Sequence, residues 1–108
     1  MLRKNDEVKA FEMFPGVVRR VMNHGEKTML VELHLARGAV VPEHTHPHEQ
    51  IGYLASGKLE FRVGDETRVI EAGDSWLAPG SVPHFVRVLE DAVAIDIFSP
   101  IREDFLEP

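Results

Sequence analysis

The sequence has 108 residues, of which 44% are hydrophobic, and a formal net charge of −6 at pH 7. This length favours one compact domain over two, and the acidic balance gives no basic surface for binding nucleic acid or an anionic membrane. The chain contains no cysteine, which excludes disulfides and thiolate metal sites, so a bound metal must be held by nitrogen and oxygen ligands.

The first part of the chain, residues 1–14, is charged and lacks the apolar run of a signal peptide. No apolar stretch approaches membrane-spanning length. These features predict a cytoplasmic protein.

Short apolar segments then alternate with Gly and Pro, a pattern typical of many short strands. Between residues 28 and 35 the odd positions are apolar, whereas Glu32 and His34 fall on the other face, as in a half-buried strand. Further strands are predicted over 58–63, 66–70, 82–88 and 92–98, and a short terminal helix over 101–106. The sequence therefore predicts an all-β fold, a sandwich or barrel.

Two histidine clusters carry the candidate chemistry. His44 and His46 are two residues apart, so both imidazoles point to one face of an extended chain, which is a geometry suited to metal ligation. The second cluster, residues 73–84, ends in His84 after two prolines that fix its loop.

At these residues the sequence resembles the cupin family. The first cupin motif has the pattern Gly, five residues, His-x-His, three or four residues, Glu, six residues, Gly, and it is matched at Gly38, His44, His46, Gln50 and Gly57. The second motif is matched from Gly73 through Pro79 to His84, with Ser81 in place of a glycine and Val88 in place of an asparagine. The resemblance implies a single cupin domain over 1–108, a jelly-roll type β-barrel with its core at about 17–100, an N-terminal strand segment and a short C-terminal tail.

The cupin resemblance also implies one divalent metal ion. The expected ligands are His44, His46, Gln50 and His84. Three imidazoles and an amide oxygen suit Zn, Ni, Fe, Co or Mn, and the sequence does not choose among them. Because Gln50 is neutral where cupins usually have glutamate, the metal would keep its full double charge and act as a stronger Lewis acid.

Other residues near the motifs are expected outside the ligand set. Strand alternation points Glu49 away from Gln50. His48 has the parity of a ligand, but Pro47 interrupts the strand, so we expect His48 at the pocket rim. His24 and His34 lie outside both motifs and are expected to be exposed or paired with other side chains.

The C-terminal segment 92–106 contains Asp96 within an apolar strand, where a carboxylate is costly unless it is paired or used. The alternative is an outward-facing Asp96. This tail resembles that of the KdgF group of pectin-degradation cupins, which ends in Ile-Asp-x-Phe-Ser-Pro-x-Arg-x-Asp-Phe-Leu. The segment between His46 and Gln50 is one residue shorter than in that group.

The KdgF resemblance implies an enzyme that converts cyclic 4,5-unsaturated uronates from pectin and alginate into the linear 4-deoxy keto acid. It places Asp96, Phe98 and Arg102 at the reaction site and implies an anionic sugar acid as substrate, with a homodimer paired through N-terminal strands. Two alternatives stay open. One is a metal-dependent dioxygenase or isomerase of another small molecule, and the other is a non-catalytic ligand-binding cupin.

Overall fold

The computed structural model describes residues 1–106, and these are mostly in antiparallel strands, which confirms the all-β prediction. The strands are β1 (Phe11–Phe14), β2 (Val17–His24), β3 (Met29–Leu35), β4 (Val40–His44), β5 (Glu49–Val63), β6 (Glu66–Glu71), β7 (Ser75–Ala78) and β8 (His84–Ser99). Two 3₁₀ turns, Asn5–Glu7 and Glu103–Phe105, are the described helical segments. Within residues 1–106, no helix is long and apolar enough to span a membrane.

The barrel is closed by the two longest strands, β5 and β8, which pair with each other over most of their length. Their first and second halves join different neighbours. One layer runs β1-β2-β3-β8-β5-β7, and the other runs β4-β8-β5-β6. This arrangement is the jelly-roll barrel expected from the sequence.

A glycine allows β5 to pass from one layer to the other. Gly57 has φ of 93°, in the left-handed region, and a Cβ at this position would collide with the backbone of Asp91 and Ala92. The ladder between β5 and β8 is irregular on both sides of this glycine. The strands predicted over 82–88 and 92–98 are therefore one bent strand, because the irregularity bends the ladder without ending it.

The core lies between the two layers and is built from the inward-facing apolar residues of each strand. In β3, Met29, Val31 and Leu35 are buried, in agreement with the predicted alternation. The predicted terminal helix is reduced to the 3₁₀ turn Glu103–Phe105, whose Phe105 is buried against Phe98 with ring centroids 5.6 Å apart. The tail thus packs over one end of the barrel, beside the strand ends that carry the motif histidines.

Candidate metal centre

Three histidines meet where β4 ends and β8 begins. His44 is the last residue of β4 and pairs with His84, the first residue of β8, while His46 lies in the connection to β5. One potential ligand atom from each of the three lies within 4.8 Å of the others. The antiparallel pairing of β4 with β8 thus brings together two motifs that are well separated in sequence.

Each of these three rings is held by a backbone carbonyl two residues away. The Nδ1 atoms of His44, His46 and His84 lie 2.8, 3.0 and 3.0 Å from the carbonyl oxygens of Pro42, His48 and Val82. A carbonyl oxygen can only accept, so each Nδ1 carries the proton and each Nε2 keeps its lone pair. Such a bond from the distal nitrogen is the usual way in which metal-binding histidines are oriented.

Gln50 completes the donor set from the start of β5. Its Oε1 lies 3.1 Å from Nε2 of His46. With Nδ1 of His46 protonated, both of these atoms are acceptors, and a cation between them would satisfy both. Among the described residues, the buried Nε2 of His84 has no hydrogen-bond partner, which is an uncommon state for a buried polar atom. The residues present therefore fit a metal ion.

The surroundings of His84 and His46 favour neutral imidazoles. Burial lowers the pKa of His84 to about 4, and burial also lowers the pKa of His46. Both rings are therefore unprotonated at neutral pH, the state that metal ligation requires.

Asp96 lies inside the barrel close to Gln50. Its side chain is buried, and its Oδ1 accepts a 2.8 Å hydrogen bond from Nε1 of Trp76. Burial raises the pKa of Asp96 to about 6, although the side chains of Trp76 and Gln50 and the charge of Arg102 act in the opposite direction. The outward-facing alternative for Asp96 is wrong, because β8 turns this residue towards the core.

Arg102 reaches the same cavity from the tail. Its guanidinium stacks over Phe105 at 3.9 Å and over Phe98 at 5.2 Å from the ring centroids. Nη2 and Nε of Arg102 lie 2.9 and 3.4 Å from the carboxylate oxygens of Asp104, so one edge of the fork is engaged. Among residues 1–106, no hydrogen-bond partner is found for Nη1 on the other edge, whose N–H groups can donate to a ligand.

One interior cavity of about 60 Å³ connects the donor cluster to the residues from the tail. Its polar lining comes from His44, Gln50, His84, Asp96 and Arg102. Its remaining lining, including Phe98 and Trp76, is mostly apolar. Apart from His46, which lies beside Gln50, the cavity thus brings all the sequence-predicted site residues together.

The neighbouring polar residues lie outside the cluster. Glu49 is exposed while Gln50 is buried, as strand alternation predicted. His48 supports the site through its backbone carbonyl, which accepts from His46. His24 and His34 are both exposed, and Nε2 of His34 lies 2.7 Å from Oε1 of Glu32.

Sequence reasoning assigned no role to Trp76, the only tryptophan in the chain. The available signal was its place in the second motif segment, two residues before Ala78 and with the same inward parity. Ser81, at the position where cupins have glycine, adopts the left-handed backbone conformation, with φ of 66°.

The chain belongs to the cupin family, whose family model, described as Cupin domain, matches residues 31–98.

Among curated proteins, the chain is 38% identical over 104 residues to the pectin degradation protein KdgF of Dickeya dadantii, with 94% of each chain covered. It is 36% identical to the solved structure of KdgF from a Halomonas species, with a TM-score of 0.92 and coverage of 97% of this chain and 99% of the other. A third relative, the H2HPP isomerase of Bacillus subtilis, is 43% identical over 60 residues, which cover 53% of this chain and 25% of that protein. The protein is a KdgF-like cupin.

Proposed function

We propose that this single-domain cupin is a metal-dependent enzyme that opens the ring of 4,5-unsaturated uronate monosaccharides. The observation that carries the proposal is one cavity lined by three groups: neutral metal donors, a buried carboxyl group and a guanidinium group. Near full-length similarity to two KdgF proteins supports the substrate class.

The metal would be held by His44, His46, Gln50 and His84, and Zn, Ni, Fe, Co and Mn all remain candidates. Because this donor set carries no negative charge, the bound ion would supply Lewis-acid polarisation of a substrate oxygen at full double charge. The carbonyl-anchored imidazoles keep the donor atoms convergent before any ligand arrives.

Asp96 has the features of a group that moves the proton. Opening the cyclic hemiacetal breaks the bond between C1 and the ring oxygen, and the O1 hydroxyl becomes a carbonyl as it loses its proton. The enolate released at C5 becomes a ketone when C4 gains a proton, so one proton is lost from O1, one is gained at C4 and no atom is added overall. A buried carboxyl group with a pKa of about 6 can accept the first proton and deliver the second.

Arg102 and Phe98 would bind and orient the substrate. The free edge of the Arg102 guanidinium can pair with the uronate carboxylate, while Asp104 holds the other edge. Phe98 offers an apolar wall beside Arg102 and His46. Arg102→Lys is expected mainly to raise KM, since a point charge replaces a planar fork.

The test is incubation of the purified protein with an unsaturated galacturonate monomer, following loss of ultraviolet absorbance as the conjugated double bond disappears. Metal analysis on the same sample links turnover to the bound ion. We expect chelation to abolish turnover and one divalent metal to restore it. We also expect Arg102→Lys to raise KM. A fully metal-loaded protein that leaves the absorbance unchanged would overturn the proposal.

Isomerisation of another small molecule is the second candidate, and the similarity to H2HPP isomerase over 60 residues favours it. That protein's substrate, assayed in parallel, separates the two activities. Oxygen consumption would point instead to a dioxygenase, and ligand-induced stabilisation without turnover would point to a binding module. We also propose that the protein is cytoplasmic and forms a homodimer.

A further inference from the structure

The barrel contains a row of three residues that links Trp76 to Asp96 across three strands. Gly52 on β5 pairs with Trp76 on β7 on one side and with Asp96 on β8 on the other. All three face the interior. The glycine at the centre has no side chain, so the indole reaches across it and donates from Nε1 to Oδ1 of Asp96 at 2.8 Å.

Gly52 is required for space. A Cβ built on Gly52 would collide with the indole of Trp76, including Nε1, and with Oδ1 of Asp96. This residue does not have a positive φ, so backbone conformation does not explain the glycine. The Trp76 to Asp96 hydrogen bond does explain it.

The indole N–H also distinguishes the two oxygens of Asp96. Nε1–H can only donate, so it occupies Oδ1 as an acceptor and disfavours a proton on that oxygen. This hydrogen bond therefore fixes the orientation of the carboxyl group. Gln50, two residues before Gly52 on the same face of β5, contacts the same carboxyl group.

We propose that Trp76 is a positioning residue, which fixes the orientation of the Asp96 carboxyl group across Gly52. The proposal rests on the proposed ring-opening function. Trp76 itself touches none of the reacting atoms in this role, and it acts through Asp96.

The experiment replaces the indole N–H in two ways. One is Trp76→Phe, and the other is global incorporation of benzothienylalanine, which puts sulfur in place of N–H and alters Trp76 alone because the chain has one tryptophan. Both should lower kcat for the unsaturated galacturonate by about 10- to 100-fold, the scale for residues that orient functional groups, with KM and metal content unchanged. In an Asp96→Asn background, the same replacements should cause little further loss.

Val88→Ala is the matched control. Val88 is buried in the core, at 2% exposure, and does not line the cavity. It should lower the melting temperature and leave kcat unchanged. Equal kcat losses from Val88→Ala and benzothienylalanine, or additive losses with Asp96→Asn, would overturn the positioning role.

Fluorescence gives a readout that does not need turnover. Because Trp76 is the sole tryptophan, a shift in its emission on Asp96→Asn reports the contact directly. Wild-type protein that fails to turn over the uronate would refute the proposed function and the catalytic use of Trp76 with it. Wild-type turnover that is insensitive to loss of the indole N–H would refute the positioning role alone.

Discussion

At the residue scale, the neutral amide of Gln50 sets the charge of the site. Its Oε1 points towards His46, and its side chain also contacts Asp96. A glutamate here would place a second carboxyl group beside a buried one, and like charges in such a pair oppose ionisation. A neutral residue at position 50 therefore avoids a like-charge pair with Asp96.

We predict that Gln50→Glu retains the metal and lowers kcat by roughly tenfold or more, since the added charge weakens the pull on an anionic substrate and disturbs Asp96. Metal analysis and the galacturonate assay measure the two effects separately. Glu49→Gln is the control, because Glu49 is exposed on the opposite face of the same strand. Unchanged turnover with the metal retained would argue against a ligand role for residue 50.

Asp96→Asn is predicted to lower kcat by roughly a hundredfold, the usual scale for losing a general acid or base. The metal content should not change. The amide oxygen of the introduced asparagine can still accept the hydrogen bond from Trp76, so the fold should be preserved. A variant that loses stability in proportion to its activity would point to a structural role for the carboxyl group.

The same substitution has a pH signature in metal-free protein. The folded protein retains the Asp96 proton up to a pH of about 6, because burial raises the pKa from 3.8, so the folded state binds the extra proton between these values. Stability from this group is therefore present at low pH and lost as pH rises towards 6. The melting temperature of Asp96→Asn, relative to chelated wild type, should increase between about pH 4 and pH 7.

At the scale of strands and turns, the sequence predicted what depends on local pattern. The alternation in β3 agrees with the structure because a strand has a period of two. The His-x-His pair meets at one site although His46 lies beyond the end of β4, so the strand period alone does not explain its position. The sequence pattern predicts strand ends at Gly57 and around Asp91, but both positions lie within bent strands. The prediction is wrong there because a bulge and a turn have the same local signal in a sequence. The Trp76, Gly52 and Asp96 row depends on pairing between distant strands, which a single sequence does not specify.

The tail offers a test at this scale. Phe105 is buried between Phe98 and two guanidinium groups, those of Arg19 and Arg102. Phe105→Ala should lower the free energy of unfolding by about 3 kcal/mol, at the lower end for a buried aromatic residue. It should also raise KM, because Arg102 loses the ring on which it stacks.

Denaturant unfolding and steady-state kinetics measure these two effects. The control is Leu106→Ala at the next position, where the side chain is exposed. Equal effects of the two substitutions would mean that the tail does not support Arg102.

At the scale of the whole molecule, the outer face of the barrel carries an apolar row. Leu30 on β3, Ile97 on β8, Ile51 on β5 and Leu77 on β7 are successive cross-strand partners, and each is exposed, by 37% to 49%. Four large apolar side chains in line across four strands form a contiguous patch of the kind that marks an interface. The row lies on the layer that includes the N-terminal strands β1 and β2.

We predict that two copies of the chain pair through this row. This row can pack against the same row of a second copy related by a two-fold axis, because the two copies then present the same surface to each other. Ile51→Glu places a charge at the centre of the row and should convert the dimer to a monomer, as measured by light scattering coupled to size exclusion. Val69→Glu is the matched control, since Val69 is equally exposed, at 52%, but lies on β6 in the other layer. A dimer that survives Ile51→Glu and dissociates on Phe11→Glu would place the contact on the N-terminal strands alone, and a monomeric wild-type protein would exclude the pairing.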